Sequence, residues 1–570
     1  MLEWFDSQPT RYWTLAWSCF TLLVVVGIGP VLAGFGGEKF EAATRRFWPR
    51  WLFLLVLAAT FLAFRWPLFF VGEELNPDES QLIAGGITLQ SDPIYWRSVD
   101  GSTHGPLDTY PLLAVRLVGL PINYGTARLT GSVLLLAAIA LTYLALARYY
   151  GEALGRLGCL PAFCFFAFST FWDFVHYSSE HAPLFLDALG ATLLSLALLG
   201  ALERRASFWC WLGGGLALGA VPLAKLQGAP IAAALLVTAS LINLCSTETD
   251  LKTRLRRVGV LAAGTAAVPL LFTVVTLIYG QQEHAWRSYI VQNLRYAGDH
   301  HYTHAEMLRR FWEFADIGSG FYAFAAGAAA FMAATLMRSF AFPAATLRLL
   351  ALSGAFLLSS LVAVLTPGRQ YTHYLIFLIM PATLFAGCLL AGWWQLAGKT
   401  GTASLIQRGV LLLAFTGLML WPQVESRASH PHPYLGKLTA YATAPAAPVV
   451  QEILRYARAG ESLGQWGWMC RYYVLTGMRQ SNRTAHTAAE IQASAQIDYY
   501  RARYMTDLQR NRPPVFIDTV GPGNFTFQDR AALGHETFPA LRDYIDLHYG
   551  LVADVDGTRI YVRNDRLGKP

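Results

Sequence analysis

The chain has 570 residues, of which 54% are hydrophobic and only 14% charged, whereas a typical soluble domain carries roughly 25% charged residues. Mean hydropathy is +0.36, and apolar runs of about 20 residues recur, the length of an α-helix that crosses a bilayer. The net charge of +7 lies largely in short loops between those runs, where Lys and Arg set orientation. It therefore points to a polytopic membrane protein and not to a partner nucleic acid.

In chain order the apolar pattern predicts twelve spans, at 14–34, 51–70, 128–147, 158–172, 184–202, 208–223, 228–245, 258–279, 320–337, 349–366, 373–397 and 409–422. The runs at 158–172 and 409–422 are short. The first, "TLAWSCFTLLVVVGIGPVLAG", lacks a basic n-region and an A-x-A-like end, so it reads as a retained helix and not as a secretory signal. One set of alternating loops is short and basic: Lys39, Arg45, Arg46 and Arg50; Arg148 and Arg156; Arg204 and Arg205; Lys252, Arg254, Arg256 and Arg257; Arg338 and Arg348; Lys399 and Arg408. The positive-inside rule makes these cytoplasmic. The long loops 71–127 and 280–319 and the tail from 423 then face outward, which for a bacterial inner membrane is the periplasm.

The tail loses the long apolar runs. "VVQEILRYA" reads as a helix, "PPVFIDTV" as a short buried strand, and "LVADVDGTRIYVRND" as two strands joined across an Asp-Gly turn. The expected architecture is a polytopic α-helical membrane domain over 1–422, with the external loop 71–127, followed by a small periplasmic α/β domain over 423–570, joined near "ATAPAAP". Six of the seven cysteines lie in apolar stretches and only Cys470 in a polar one, so neither a disulfide framework nor a CxxC metal site is visible. No internal or inverted repeat is apparent.

Loop 71–127 carries Glu73, Glu74, Asp78, Glu79, Asp92, Asp100 and Asp108, and most of these read as a solvated loop. Asp78-Glu79 stands apart. It follows an Asn-Pro pair that caps or turns the chain, and "ESQLIAGGITL" then reads as a short helix along the membrane surface. Carboxylates in a first helical turn are favoured by the helix dipole. At a lipid–water boundary they can act as a general base toward a hydroxyl or as ligands for a hard cation. His104, in a Pro-flanked turn, is placed to donate a hydrogen bond. The charged pair Glu180-His181 follows the fourth span, and charge there is costly unless paired or used. "GDHHYTHAE" offers Asp299, His300, His301, His304 and Glu306, with His300 and His304 at helical i, i+4 spacing but no third ligand fixed.

An Asp-Glu pair after an early helix, followed about 25 residues later by a His-Gly-Pro-Leu turn, resembles the GT-C glycosyltransferases. The nearest in pattern are the bacterial protein O-mannosyltransferase-like members and the aminoarabinose lipid A transferases. "HYSSEHAPLFLDAL" is similar to the second external loop with its further acid, and "LAKLQGAPIAAALL" to the Lys-containing break between two helices. "GRQYTHYLIFLIMPATLFAG" is similar to the start of a late helix, and "GQWGWMCRYYVLTGMR" to a segment of the soluble tail. The helix at 14–34 precedes what would be the family's first, and His104-Gly105-Pro106 stands where a Lys-Pro-Pro form would be.

The resemblance implies hexosyl or pentosyl transfer from a polyprenyl-phosphate-linked donor to a periplasmic lipid, glycan or protein acceptor. Membrane lipids would surround the chain, and no nucleotide sugar would be used. Asp78 would be the general base, with Glu79 orienting it or sharing a cation, and Glu180 would join the catalytic site, either with Asp78 or with a cation. His104, His181, Lys225, Arg369, Tyr371 and His373 would bind substrate. No cofactor is specified, and a divalent cation is left open, with Asp78, Glu79 and Glu180 as its candidate ligands. The competing class is a transporter or flippase of a lipid-linked saccharide, which would bury acids near the bilayer midplane rather than at helix ends.

Overall fold

Long apolar runs become helices because a backbone in lipid must satisfy its hydrogen bonds within the segment. The computed structural model describes residues 2–33, 35, 48–200, 202–298, 301–314, 320–336, 341–397 and 401–568. Lys39, Arg45, Arg46, Asp299, His300, Arg338 and Lys399 lie outside the described residues. Among the described residues, ten helices are long and apolar enough to cross a membrane. The expected spans at 158–172 and 320–337 coincide with Glu152–Phe168 and Phe321–Leu336, which have 17 and 16 residues. The run at 409–422 belongs to a longer helix, Thr402–Ser429. Its last turns, "QVESRAS", are polar, so hydropathy alone stops at Pro422 while the backbone continues.

The described chain divides into two units. The first comprises Met1–Phe70, Gly131–Phe272 and Leu294–Thr439 and holds most of the membrane-length helices. Close helix approach in this unit depends on small residues. A Cβ at Gly215 would lie 2.3 Å from the Leu261 carbonyl oxygen, and one at Gly219 would lie 2.1 Å from that of Thr265. A large apolar core fills the unit, from Phe53, Leu57 and Phe61 through Phe163 and Phe166 to Phe377 and Met380.

The second unit comprises Val71–Thr130, Thr273–Asn293 and Ala440–Pro570. Its centre is a five-stranded sheet of β1 (Ser462–Trp466), β2 (Arg479–Gln480), β3 (Val515–Asp518), β4 (Tyr549–Val555) and β5 (Thr558–Arg563), in the order β2-β1-β3-β5-β4. β1 pairs parallel with β2 and β3, while β5 runs antiparallel to β3 and β4. Asp556 and Gly557 both have positive φ, 51° and 76°, as a two-residue hairpin turn requires. The tail expected from 423 thus takes up at Ala440 in this division, and it shares its unit with the first long loop. The helix Pro77–Leu89 is buried there along most of its length. Ala84 joins the apolar cluster of Val450, Ile453 and Tyr473, and Thr88 Oγ1 accepts the Gln480 N–H at 3.0 Å.

Candidate active site

In the second unit, Asn76 caps the helix Pro77–Leu89. Its side chain accepts the Asp78 N–H at 2.8 Å, and Pro77 fills the first helical position, where no N–H is needed. The two acids that follow have different surroundings. Glu79 is fully buried and takes a bidentate pair from Arg128, with Nε at 2.9 Å and Nη2 at 2.7 Å. Arg128 also donates to the Val71 and Glu73 carbonyls at 2.6 Å each. Asp78 is half-buried, and among the described residues no side-chain hydrogen bond or ion pair holds its carboxylate. Glu74 lies close by. Burial raises its carboxyl above the ordinary range even though Ser80 donates to it and Arg471 is near.

Glu73 is exposed, as a solvated loop predicts, but two of the loop's other acids depart from that reading. Asp100 and Asp108 are buried. Asp100 pairs with Arg503 at 2.6 Å. Burial would raise Asp100, but the Arg503 charge outweighs it and holds the carboxyl below its usual value. His104 is buried too, not presented at a surface. It packs so tightly on Gly101 that a Cβ there would lie 2.4 Å from the ring.

The first unit gathers a second cluster. The helix Arg204–Ala224 stops at Lys225, whose backbone is extended, and a short turn over Leu226–Gly228 leads into Ala229–Cys245. Lys225 Nζ donates to Glu180 and, at 2.8 Å, to Ser179 Oγ, and it lies 4.7 Å from the centroid of the Tyr374 ring. Glu180 also accepts from Ser178 Oγ. Burial alone would raise Glu180, but the Lys225 ammonium and then His373 hold it down to about 2. His373 Nε2 is 4.0 Å from Glu180, while its Nδ1 meets Asp173 Oδ1 at 3.0 Å and its backbone N–H donates to Asp173 Oδ2 at 2.8 Å. Burial works against the Asp173 carboxylate as well, yet His373 and His176 keep it below the ordinary range.

Of the residues singled out from sequence, Glu180, Lys225 and His373 therefore meet in one cluster, whereas Asp78, Glu79 and His104 belong to the other unit. Tyr371 stacks on His373 with centroids 5.7 Å apart and is exposed. Arg369 lies 4.3 Å from the Tyr296 ring centroid and 2.9 Å from His301 Nε2. His181 is buried and holds its own loop, its Nδ1 accepting the Ser178 N–H at 3.0 Å. Asp173 and His176 escaped the sequence reading, although their i, i+3 spacing in "FWDFVH" was a usable signal. Arg128 had none, because its partner lies 49 positions away.

As ligands for a cation, Glu79 and Glu180 are already engaged by Arg128 and Lys225. Among the described residues the donor atoms of Asp173, His176 and His373 lie within 4.8 Å of one another, and His176 Nε2 has no partner. This N,N,O set suits a zinc-like ion better than magnesium. A second such group, Asp518, His535 and Glu536, is bridged by Arg530, whose Nη2 is 3.1 Å from Asp518 and 3.0 Å from Glu536. The guanidinium already supplies the positive charge there.

No protein-family model and no curated protein matches the chain. Solved structures do. The crystal structure of ArnT from Cupriavidus metallidurans bound to undecaprenyl phosphate superposes with a TM-score of 0.59 at 13% identity, covering 91% of this chain and 99% of that one. Its apo form gives 0.55 over the same shares. This chain has the GT-C fold. An Archaeoglobus fulgidus oligosaccharyltransferase with zinc and sulfate also matches, with a TM-score of 0.41, 12% identity, and 82% and 68% of the two chains covered. The GT-C fold expected from the loose motifs is thus present with its small C-terminal sheet domain, at an identity too low for the motifs to be carried over by alignment alone.

Proposed function

We propose that this chain is an integral-membrane glycosyltransferase that moves a sugar from a polyprenyl-phosphate-linked donor to a periplasmic lipid, glycan or protein. The observation that carries the reading is Asp78, the one acid of the Asp-Glu pair left without an internal partner. Its neighbour Glu79 is fixed by Arg128, which holds the first helical turn while Asp78 stays available. The fold's likeness to ArnT supports the class of donor, and the tail and the long loops would face the periplasm.

In this reading Asp78 takes the proton of the acceptor hydroxyl or amine as the oxygen or nitrogen bonds to the anomeric carbon. The anomeric C–O bond to phosphate breaks, and the electron pair leaves with the polyprenyl phosphate. The departing phosphate calls for positive charge, the role that the family resemblance gives to Lys225 and Arg369. Glu180 is then a positioning residue that holds the Lys225 ammonium, and His373 is set by Asp173. A metal held by Asp173, His176 and His373 would add positive charge to the cluster that contains Lys225.

The test is transfer of labelled sugar from a polyprenyl-phosphate donor in membranes. Asp78→Asn keeps the shape of the side chain and removes its basicity, and the expected loss of rate is about 10²–10⁴-fold with normal accumulation of protein. Near-normal turnover would refute Asp78 as base.

A further inference from the structure

The last membrane-length helix ends at a cavity that the proposed reaction does not use. Pro422 has no N–H to offer the Leu418 carbonyl, and the helix makes a π-helical turn over Thr416–Leu420 before resuming as Trp421–Ser429. Gln423 and Arg427, four residues apart, share one helix face. Both line a narrow cavity with Phe165, Phe168 and Ser169. Arg427 also lines a wider cavity of about 200 Å³, walled by Trp13, Trp17 and the turn Ser429–Pro431.

Arg427 is 5% exposed and has no carboxylate partner among the described residues. Its Nη1 reaches the Phe168 carbonyl and Thr170 Oγ1 at 3.4 Å each, which is long for a guanidinium bond, and Nη2 donates to the His430 carbonyl. Nε has no partner, and neither do Ser169 Oγ and Gln423 Oε1, all of them buried. A buried cation facing only neutral carbonyl and hydroxyl dipoles leaves room for a real counter-ion. The Trp13 ring centroid is 5.1 Å from the guanidinium carbon, and Trp13 stacks with Trp17. Paired indoles of this kind favour the bilayer–water boundary. The cavity lies where the helix Pro9–Ala33 begins and Thr402–Ser429 ends, and the ends of spanning helices are where lipid head groups are met.

We propose that this cavity binds the phosphate of an anionic membrane phospholipid, with Arg427 as counter-ion and the Trp13–Trp17 wall against the glycerol region. The inference does not depend on sugar transfer. Free phosphate shares the chemistry, so the test separates the two sources.

The delipidated full chain in a neutral detergent is titrated by native mass spectrometry with short-chain phosphatidylglycerol, a neutral diacylglycerol glycoside of the same chain length, and inorganic phosphate. Wild type should bind one phosphatidylglycerol at least tenfold more tightly than Arg427→Gln, with no such difference for the glycoside or for inorganic phosphate. Arg11→Gln, an exposed arginine near the start of the same N-terminal helix, should behave as wild type. If Arg427→Gln fails to fold, the wild-type arm decides. Phosphatidylglycerol should then raise Tm by several degrees over the glycoside, and Trp17→Leu should reduce that shift. Equal phosphatidylglycerol binding by wild type and Arg427→Gln, an equal loss in Arg11→Gln, or an Arg427-dependent gain from inorganic phosphate alone would each overturn the lipid site.

Discussion

Glu79–Arg128 and Glu180–Lys225 are both buried carboxylate–cation pairs, one in each unit, and the cations are held in different ways. Arg128 spreads its fork over Glu79 and two main-chain carbonyls, with four bonds between 2.6 and 2.9 Å. Such a group cannot turn toward a ligand without abandoning several bonds at once. Lys225 is a compact charge on a flexible stem, bonded to Glu180 and Ser179 and lying against an aromatic ring, and an ammonium can redirect a donor with little loss. The first pair reads as a brace for the Asp78 turn, and the second as a charge able to meet a phosphate.

Removing one side of each pair tests the distinction. Arg128→Gln strands a buried carboxylate, and breaking such a pair costs about 3–5 kcal/mol, so the variant should accumulate poorly and unfold early in detergent. Lys225→Gln strands Glu180 as well, but Ser178 and His373 remain beside it, so the cost should sit near the lower end of that range, about 3 kcal/mol, while sugar transfer is lost. Similar losses of Tm in both variants would erase the contrast.

A third buried acid sharpens it. Glu490 has no ion-pair partner within 4 Å among the described residues and an unpartnered Oε2, and burial pushes it up to about 7 in spite of the Arg503 charge nearby. A carboxyl raised above its ordinary value stabilises the fold fully below about pH 4.5, and that contribution is lost as pH climbs through 7. The expected loss is roughly 1–3 kcal/mol. Proteolytic opening of the tail at pH 5 and pH 8, at matched protease activity, should show this slope in wild type and little of it in Glu490→Gln.

The smallest effect concerns the cap. Asn76→Ala removes the acceptor for the Asp78 N–H and should lower stability by ~1 kcal/mol, while Asn76→Asp keeps it. Thermal unfolding of the two variants side by side checks this.

Local pattern was legible in the sequence and long-range pairing was not. The apolar runs, the Asn-Pro start at 76–77, the break at Lys225 and the hairpin at Asp556-Gly557 are each written within a few residues. The pairing of Asp100 with Arg503 and of Glu79 with Arg128 depends on folding, so Asp100, which looked solvated in the sequence, is buried beside a cation from elsewhere, and Glu79 has a partner that its own motif does not show. The burial of His104 was hidden for the same reason, since nothing local shows that Gly101 leaves room for its ring. The Asp173–His373 contact spans 200 positions and had no sequence trace beyond the Asp-x-x-His spacing.

The second unit's use of three separated stretches bears on how the protein is made. Asp100 is translated 403 residues before Arg503, and Thr88 is translated 392 residues before Gln480. The ribosome has therefore produced most of the chain before these two contacts of the first long loop can form, and Asp100 waits without Arg503 until then. Contacts of such separation form late, since long loops must close first. A truncated messenger would leave that loop unassembled, and residues 440–570 expressed alone would lack the helix whose Ala84 and Thr88 complete their core. Assembly of this unit thus reports that translation has passed Arg563, the last residue of its sheet.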